Sequence, residues 1–161
     1  MIDDLNSILS LRRYIEEHLH ENGEAWEHQH LPFIIGIVSA FNKSEANFFS
    51  QTIWTWPPKV LFELADAILN GGNPHLDENY IYCKIFSLTD DIEDLDYLAQ
   101  NLGAYFYSAK PQSFDAELLI AIKLKLIQVL DITRDQTWEK NFQDLNKDID
   151  RRLLEIRSSD N

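Results

Sequence analysis

Five carboxylates fall within the seven residues from 90 to 96, the densest group of chemically active side chains in the sequence. Carboxylates in the first turn of a helix interact favourably with its dipole, which accounts for two or three of them. A calcium loop is not indicated, because the Asp-x-Asp-x-Asp-Gly spacing and the glutamate at the twelfth position are missing. The excess predicts a docking surface for a partner rich in lysine and arginine. The alternative is a solvated, well-capped helix start.

Four of the five histidines lie within thirteen residues and alternate with glutamates: His18, His20, His28 and His30. Imidazole nitrogens bind a metal ion when they converge on one point. Helical residues two positions apart point about 200° from each other, so neither adjacent pair converges. The zinc-protease pattern His-Glu-x-x-His is also missing. The spacing therefore predicts no stoichiometric metal, and it indicates an exposed, pH-sensitive connection between helices.

Three tryptophans are candidates for an interface, because large aromatic side chains anchor both cores and interfaces. Trp54 and Trp56 are two residues apart just before two prolines, so they do not share a helix face, and we expect at least one in the core. Trp26 stands among charged residues and is expected to be exposed. The predicted partner-binding residues are Asp77, Glu78, Asp90, Asp91, Glu93, Asp94, Asp96, Trp26 and Trp54.

No arrangement of residues in the sequence indicates catalysis. Gly-x-Ser-x-Gly, a phosphate-binding loop and a dinucleotide fingerprint are all missing. Cys83, the single cysteine, stands among apolar residues, where cysteine behaves as a small buried hydrophobe. Carboxylates are abundant, which leaves a paired-acid hydrolase open, but nothing in the sequence brings two of them together. We expect a protein that is not an enzyme and has no cofactor.

The charge is unevenly distributed along the chain. Residues 1–109 carry 17 acids and 5 bases, whereas residues 110–161 carry 10 acids and 9 bases, for a net charge of −13. Such a field repels nucleic acid and anionic lipid and attracts basic partners. The single cysteine fits a reducing compartment, and the acidic first residues do not resemble a secretory signal. We expect a cytoplasmic protein that binds a basic protein and neither nucleic acid nor membrane.

Helical periodicity runs through all 161 residues and predicts a single all-α domain of seven or eight helices, arranged as a bundle or a short array of helical hairpins. Apolar residues nearly surround the segment 114–130, which predicts a buried central helix. The last helix is predicted to pack through Trp138, Phe142, Leu145, Ile149 and Ile156. Residues 1–3 and 158–161 are expected to fray.

The helix boundaries are predicted from residues that favour caps and stops. The first helix is expected to end at Asn22-Gly23. The predicted N-caps are Asp3 or Asp4, Ser44, Asp77, Thr89, Ser113 and Thr133, the last with Gln136 in a capping box.

A weak internal echo relates two of these helices. LFELADAI at residues 61–68 recurs as LDYLAQNL at residues 95–102, an offset of 34 residues. The echo is typical of helical-hairpin repeats, and the alternative is a chance similarity between two amphipathic helices.

The overall pattern resembles the immunity proteins of bacterial polymorphic-toxin and contact-dependent-inhibition systems. The stretch WPPKVLFELADAI at residues 56–68 is similar to helical repeats in such proteins. The resemblance implies stoichiometric neutralisation of a cognate toxin, commonly a nuclease, and it assigns no individual binding residue. The alternative function is a helical-repeat adaptor that binds a protein or peptide partner.

Overall fold

The computed structural model describes residues 2–21 and 23–161, and this part of the chain is all-helical, as the sequence predicts. It contains eight α-helices and no strand. The helices are α1 (Ile2–His18), α2 (Leu31–Ala40), α3 (Lys43–Thr52), α4 (Pro58–Asn70), α5 (Glu78–Leu88), α6 (Ile92–Ser108), α7 (Ala116–Ile132) and α8 (Gln136–Ser159). Among the described helices, none has both the length and the apolar character that crossing a membrane requires.

A π-helical segment leads directly into α2. Gly23–Ala25 forms one helical turn, Trp26–His30 winds as a π-helix, and the Leu31 amide donates to the Trp26 carbonyl five residues earlier. Pro32 lies in the first turn of α2, where the loss of its N–H costs little. The predicted helix end at Asn22 lies outside the described residues, and α1 already ends at His18.

The chain divides into two compact units, one ending at Ile81 and the other beginning at Tyr82. The division falls within α5. The single domain that the sequence predicts stays a prediction. The predicted fraying of the chain ends also stays a prediction. Helix α1 begins at Ile2 and α8 continues to Ser159, whereas Met1 lies outside the described residues.

In the first unit, α1 packs on α3 and α2 packs on α4. The buried face of α1 consists of Ile8, Leu11 and Ile15, spaced as one helical stripe. The amide nitrogen of buried Asn73 donates to the carbonyls of Val38 and Phe41 at 2.9 Å each. That side chain therefore donates to carbonyls at the end of α2, where the Val38 carbonyl also accepts from the Phe41 backbone amide at 3.3 Å.

In the second unit, α6, α7 and α8 pack against one another and bury a shared apolar core. The Tyr82 side chain stacks on Tyr105 with ring centroids 4.1 Å apart, and its hydroxyl donates to the Leu98 carbonyl at 2.8 Å. The Arg152 guanidinium lies 4.0 Å from the centre of the Phe106 ring. The Tyr82 hydroxyl thus has a hydrogen-bond acceptor within the core, and the Arg152 guanidinium lies against an aromatic ring.

The prediction that the segment 114–130 is a helix buried on all sides is wrong. Helix α7 spans Ala116–Ile132 and buries the stripe Leu119, Ile122, Leu126 and Val129. Leu124 is 58% exposed on the other side of the same helix. Periodicity indicates which residues are apolar, but the number of covering neighbours depends on the tertiary packing, and α6 and α8 cover one face here.

Both segments of the internal echo are helical and buried. The residues that α4 buries include Leu61, Leu64, Ala65 and Ile68. The corresponding residues of α6 are Leu95, Leu98, Ala99 and Leu102. Both interpretations of the echo require this burial, so the repeat hypothesis stays a prediction.

Several predicted N-caps are wrong, and the actual caps lie two residues away. Asn42 caps α3 through a capping box with Glu45, whereas the Ser44 hydroxyl donates to the Asp4 carboxylate at 2.6 Å. That hydrogen bond lowers the pKa of Asp4, which with Asp3 lies inside α1 and not before it. Asp77 accepts from the Tyr80 amide, as predicted.

The other three corrections share one reason. The predicted caps Thr89, Ser113 and Thr133 are replaced by Asp91, Asp115 and Asp135, respectively. In each case the aspartate has the extended backbone of an N-cap, and its carboxylate accepts from the first amides and favours the positive end of the helix dipole. The two threonine hydroxyls instead donate back to carbonyls four residues earlier, at Ile85 and Val129.

Replacing Asp135 with alanine should test the cap of α8. The Asp135 carboxylate accepts from the amides of Thr137 at 2.9 Å and Trp138 at 3.1 Å. We expect the free energy of unfolding to fall by about 1 kcal/mol, because an N-cap acceptor is lost. Asp131→Ala removes an equal charge from an exposed residue outside the caps, so it should change the free energy by less than about 0.5 kcal/mol. Urea denaturation measures both, and equal losses would contradict the assigned cap.

Candidate functional site

The acidic run lies at the turn between α5 and α6. Asp91 is the N-cap of α6, and its Oδ1 accepts from the amides of Glu93 at 3.0 Å and Asp94 at 3.1 Å. Asp90 is exposed and pairs with Lys125 of α7, with the Nζ and Oδ1 atoms 2.7 Å apart. Two of the five acids therefore have structural roles: Asp91 caps α6, and Asp90 forms an ion pair. The helix dipole accounts for the first of these roles but not for the second.

The remaining acids of the run lie on the first turns of α6. Glu93 is exposed, and Asp94 and Asp96 are half-buried. Asp96 lines a pocket of about 200 Å³ whose other walls include Gln100, Arg134 and Trp138. A carboxylate and an aromatic ring at one pocket form a surface that fits a cationic side chain.

Trp138 is more exposed than its predicted place in the packing seam of the last helix implies. It is 37% exposed, whereas Phe142, Leu145 and Ile149 of the same predicted seam are buried and Ile156 is half-buried. Its ring stacks on Phe142 with centroids 5.8 Å apart. Trp138 lies in the first turn of α8, where the seam begins and fewer neighbours cover it.

A groove of about 400 Å³ runs between α6 and α8 beside this pocket, and Gln100 and Trp138 line both. The groove also contains Asp144 and Tyr107. The Tyr107 hydroxyl donates to Asp148 at 2.5 Å. Burial, together with this carboxylate, raises the pKa of Tyr107 to about 12.

Asp77 and Glu78 belong to the first unit and have local roles there. Asp77 caps α5, and the Glu78 carboxylate accepts from the backbone amide of Asn73 at 2.7 Å. These hydrogen bonds explain both acids within the fold, so no protein partner is needed to account for them. Their contribution to partner binding stays a prediction.

The tryptophans of the first unit are more buried than the sequence suggests. Trp56 is in the core, as expected for one of the pair. Trp54 is half-buried, and its indole nitrogen donates to the Ser50 carbonyl at 2.7 Å. The expectation of an exposed Trp26 is wrong, because it is half-buried, and its ring lies 5.6 Å from that of His30.

Two of the four clustered histidines meet across the first connection. His18 ends α1 and His30 ends the π-helical segment, and Glu21 lies between them. One oxygen of Glu21 lies 2.5 Å from Nδ1 of His18, and the other lies 2.6 Å from Nε2 of His30. The hydrogen bonds from His18 and then His30 hold the pKa of the Glu21 carboxyl at about 2.

His20 and His28 are exposed and lie outside this cluster. At helical spacing, histidines two residues apart, such as His18 and His20, point in different directions and do not converge. The convergence of residues 18 and 30 depends on how the chain turns between two helices. Two local features accompany this convergence. Glu21 lies between the two histidines in the sequence, and the segment before α2 winds as a π-helix and not as an α-helix.

Comparisons with known proteins give no assignment: no family model, curated protein sequence or solved structure matches this chain.

Tyr107 should titrate above the ordinary tyrosine range when the pH is raised. Its folded-state pKa is about 12 against an ordinary value of 10.0, so stability associated with this group is present below about pH 10 and lost as the pH rises toward 12. Tyrosinate absorbance of the folded protein should include a late component, and Tyr107→Phe should reduce its amplitude by one tyrosine. Burial also raises the pKa of Tyr14, so some late absorbance should remain. A Tyr107→Phe variant with the same late amplitude as the wild type would contradict the assignment.

Proposed function

We propose that the protein is an immunity protein that binds a basic toxin domain and neutralises it. A nuclease is the toxin class that its charge fits best. The observation that carries the proposal is the position of the acidic run beside an exposed aromatic pocket in the second unit. The proposed activity is stoichiometric binding, without catalysis.

The electrostatic part of the proposal follows from what a nuclease must bind. A domain that holds phosphates presents lysine and arginine side chains, and a dense carboxylate surface attracts the same side chains. Complementary fields raise the rate of encounter by factors of 10 to 1,000. An inhibitor with a net charge of −13 therefore captures a basic toxin quickly and competes with its substrate.

The pocket supplies the short-range part of the interaction. A lysine or arginine of the partner that enters it lies between the Asp96 carboxylate and the Trp138 ring. A cation over an aromatic ring contributes about 0.5–2 kcal/mol, depending on how far water is excluded. Arg134 lines the same pocket, whereas the adjoining groove adds Asp144, so the partner's cation enters a mixed but mainly acidic surface.

The adaptor function is the second candidate, and the groove between α6 and α8 is the feature that favours it. A groove of about 400 Å³ has the size of a typical small-ligand site and admits side chains of a bound peptide. An adaptor binds its partner without neutralising a toxic activity. Rescue of growth therefore separates the two functions.

The test begins with the genes beside this one, and any toxin-like domain encoded there is co-expressed with the protein in a sensitive host. We expect rescue of growth and a one-to-one complex. The double variant Asp94→Lys, Asp96→Lys should slow association about tenfold at low salt and flatten its salt dependence, because charges that remain partly in solvent mainly set the on-rate. Asp91 is left intact so that the α6 cap is preserved. Trp138→Ala should mainly speed dissociation, since it removes an aromatic anchor.

The matched control is Glu117→Lys, Glu155→Lys, which makes the same change in net charge at two exposed residues of the same unit. It should slow association less than the double variant in the acidic run. Equal slowing by both variants would mean that net charge acts without a defined surface. A neighbouring gene that encodes no toxin, or a toxin that the protein does not neutralise, would contradict the immunity function.

A further inference from the structure

We propose that His18, Glu21 and His30 bind one divalent transition-metal ion, with zinc as the best-fitting ion. The inference is independent of the proposed partner binding, because the three residues lie in the first unit and the acidic run lies in the second. Each of the three residues offers one ligand atom, and these atoms all lie within 4.8 Å of one another. Two imidazole nitrogens and one carboxylate form a recurring zinc ligand set.

The distances require only a small rearrangement. Tetrahedral zinc with bonds of about 2.0–2.1 Å holds its ligand atoms roughly 3.3 Å apart. The nitrogen–oxygen distances to Glu21 are now 2.5 and 2.6 Å, maintained by hydrogen bonds. An ion replaces the shared protons and moves each nitrogen and its Glu21 oxygen apart by less than about 1 Å. The rings of His18 and His30 are stacked with centroids 4.1 Å apart, so they must also tilt for both lone pairs to point at the ion. Glu21 is the residue best able to move, because its side chain is 30% exposed and lies in the turn after α1.

Tyr14 supports His30 from behind. The Tyr14 hydroxyl lies 2.7 Å from Nδ1 of His30, on the ring nitrogen opposite Glu21. With the proton on Nδ1, this hydrogen bond leaves the Nε2 lone pair for the ion and fixes the ring orientation. Metal-binding histidines almost always have such a partner on the other nitrogen, and its loss typically weakens binding 10- to 100-fold.

Two further features fit a metal site. His30 is only 5% exposed, so one ligand is held in a fixed position, whereas His18 and Glu21 leave one side of the site open to solvent. A water molecule completes the coordination there, as in zinc sites with three protein ligands. The first 81 residues carry 12 acids and 4 bases, and this field raises the local concentration of cations.

This proposal is opposite to the expectation of no metal that the histidine spacing gave. Neighbours such as His18 and His20 point apart on a helix. His18 and His30 belong to different helical segments, so their directions are set by the turn between those segments and not by helical spacing.

Isothermal titration of the full chain with zinc chloride tests the site. The protein is prepared without an affinity tag and freed of metal with a chelator. We expect one equivalent of zinc to bind, confirmed by elemental analysis after gel filtration. Glu21→Gln and His18→Ala should each weaken zinc binding at least tenfold, and Tyr14→Phe should weaken it 10- to 100-fold.

The matched controls are His20→Ala and His28→Ala, which remove exposed histidines outside the cluster and should leave the zinc affinity unchanged. Circular dichroism of each metal-free variant verifies that its helix content is that of the wild type. If His18→Ala loses helix content, the result for Glu21→Gln decides the test, because Glu21 is partly exposed and its replacement disturbs the fold less. No saturable binding, or binding that depends on His20 or His28 instead of Glu21, would overturn the proposal.

Discussion

The amide groups at the start of each helix need hydrogen-bond acceptors, and the rest of this structure depends on how the chain supplies them. Asp77, Asp91, Asp115 and Asp135 provide those acceptors for four consecutive helices, α5 to α8. Each carboxylate also opposes the positive end of a helix dipole. Part of the acidity of this protein is therefore structural, because an all-helical chain with short connections has many helix starts in little space. The acids available to a partner are those that remain once the caps are filled.

The sequence predicts the helices well because each one has an apolar stripe of period 3.6, and the stripes of α4 and α6 are buried as expected. It predicts the caps less well because serine, threonine and aspartate are all acceptable N-caps, and only the backbone conformation decides between two that are close together. Thr89 and Thr133 illustrate this. Their hydroxyls donate to carbonyls in the last turn of the preceding helix, and an aspartate two residues later caps the next helix. Burial of α7 was overestimated because composition does not report how many neighbours a helix has.

The candidate sites show the same limit. The acidic run is contiguous in sequence and was predicted directly. The pocket beside it was not, because Trp138 reaches Asp96 only through the packing of α6 against α8. The meeting of His18 with His30 depends on a turn between helices, which no local periodicity describes. Sites made of neighbouring residues can thus be predicted from the sequence, whereas sites made of residues from separate segments require the tertiary structure.

The π-helical winding of Trp26–His30 makes the direction of His30 depend on the number of residues in that segment. A π-helical turn accommodates one residue more than an α-helical turn, and such turns are maintained mostly where a side chain has a specific task. A deletion of one residue there would let the segment relax to an α-helix and would rotate the preceding turn by about 100° relative to α2. Natural relatives that lack this residue should therefore also have lost the selective constraint on the histidine–glutamate cluster, whereas substitutions that preserve the length would leave its geometry intact.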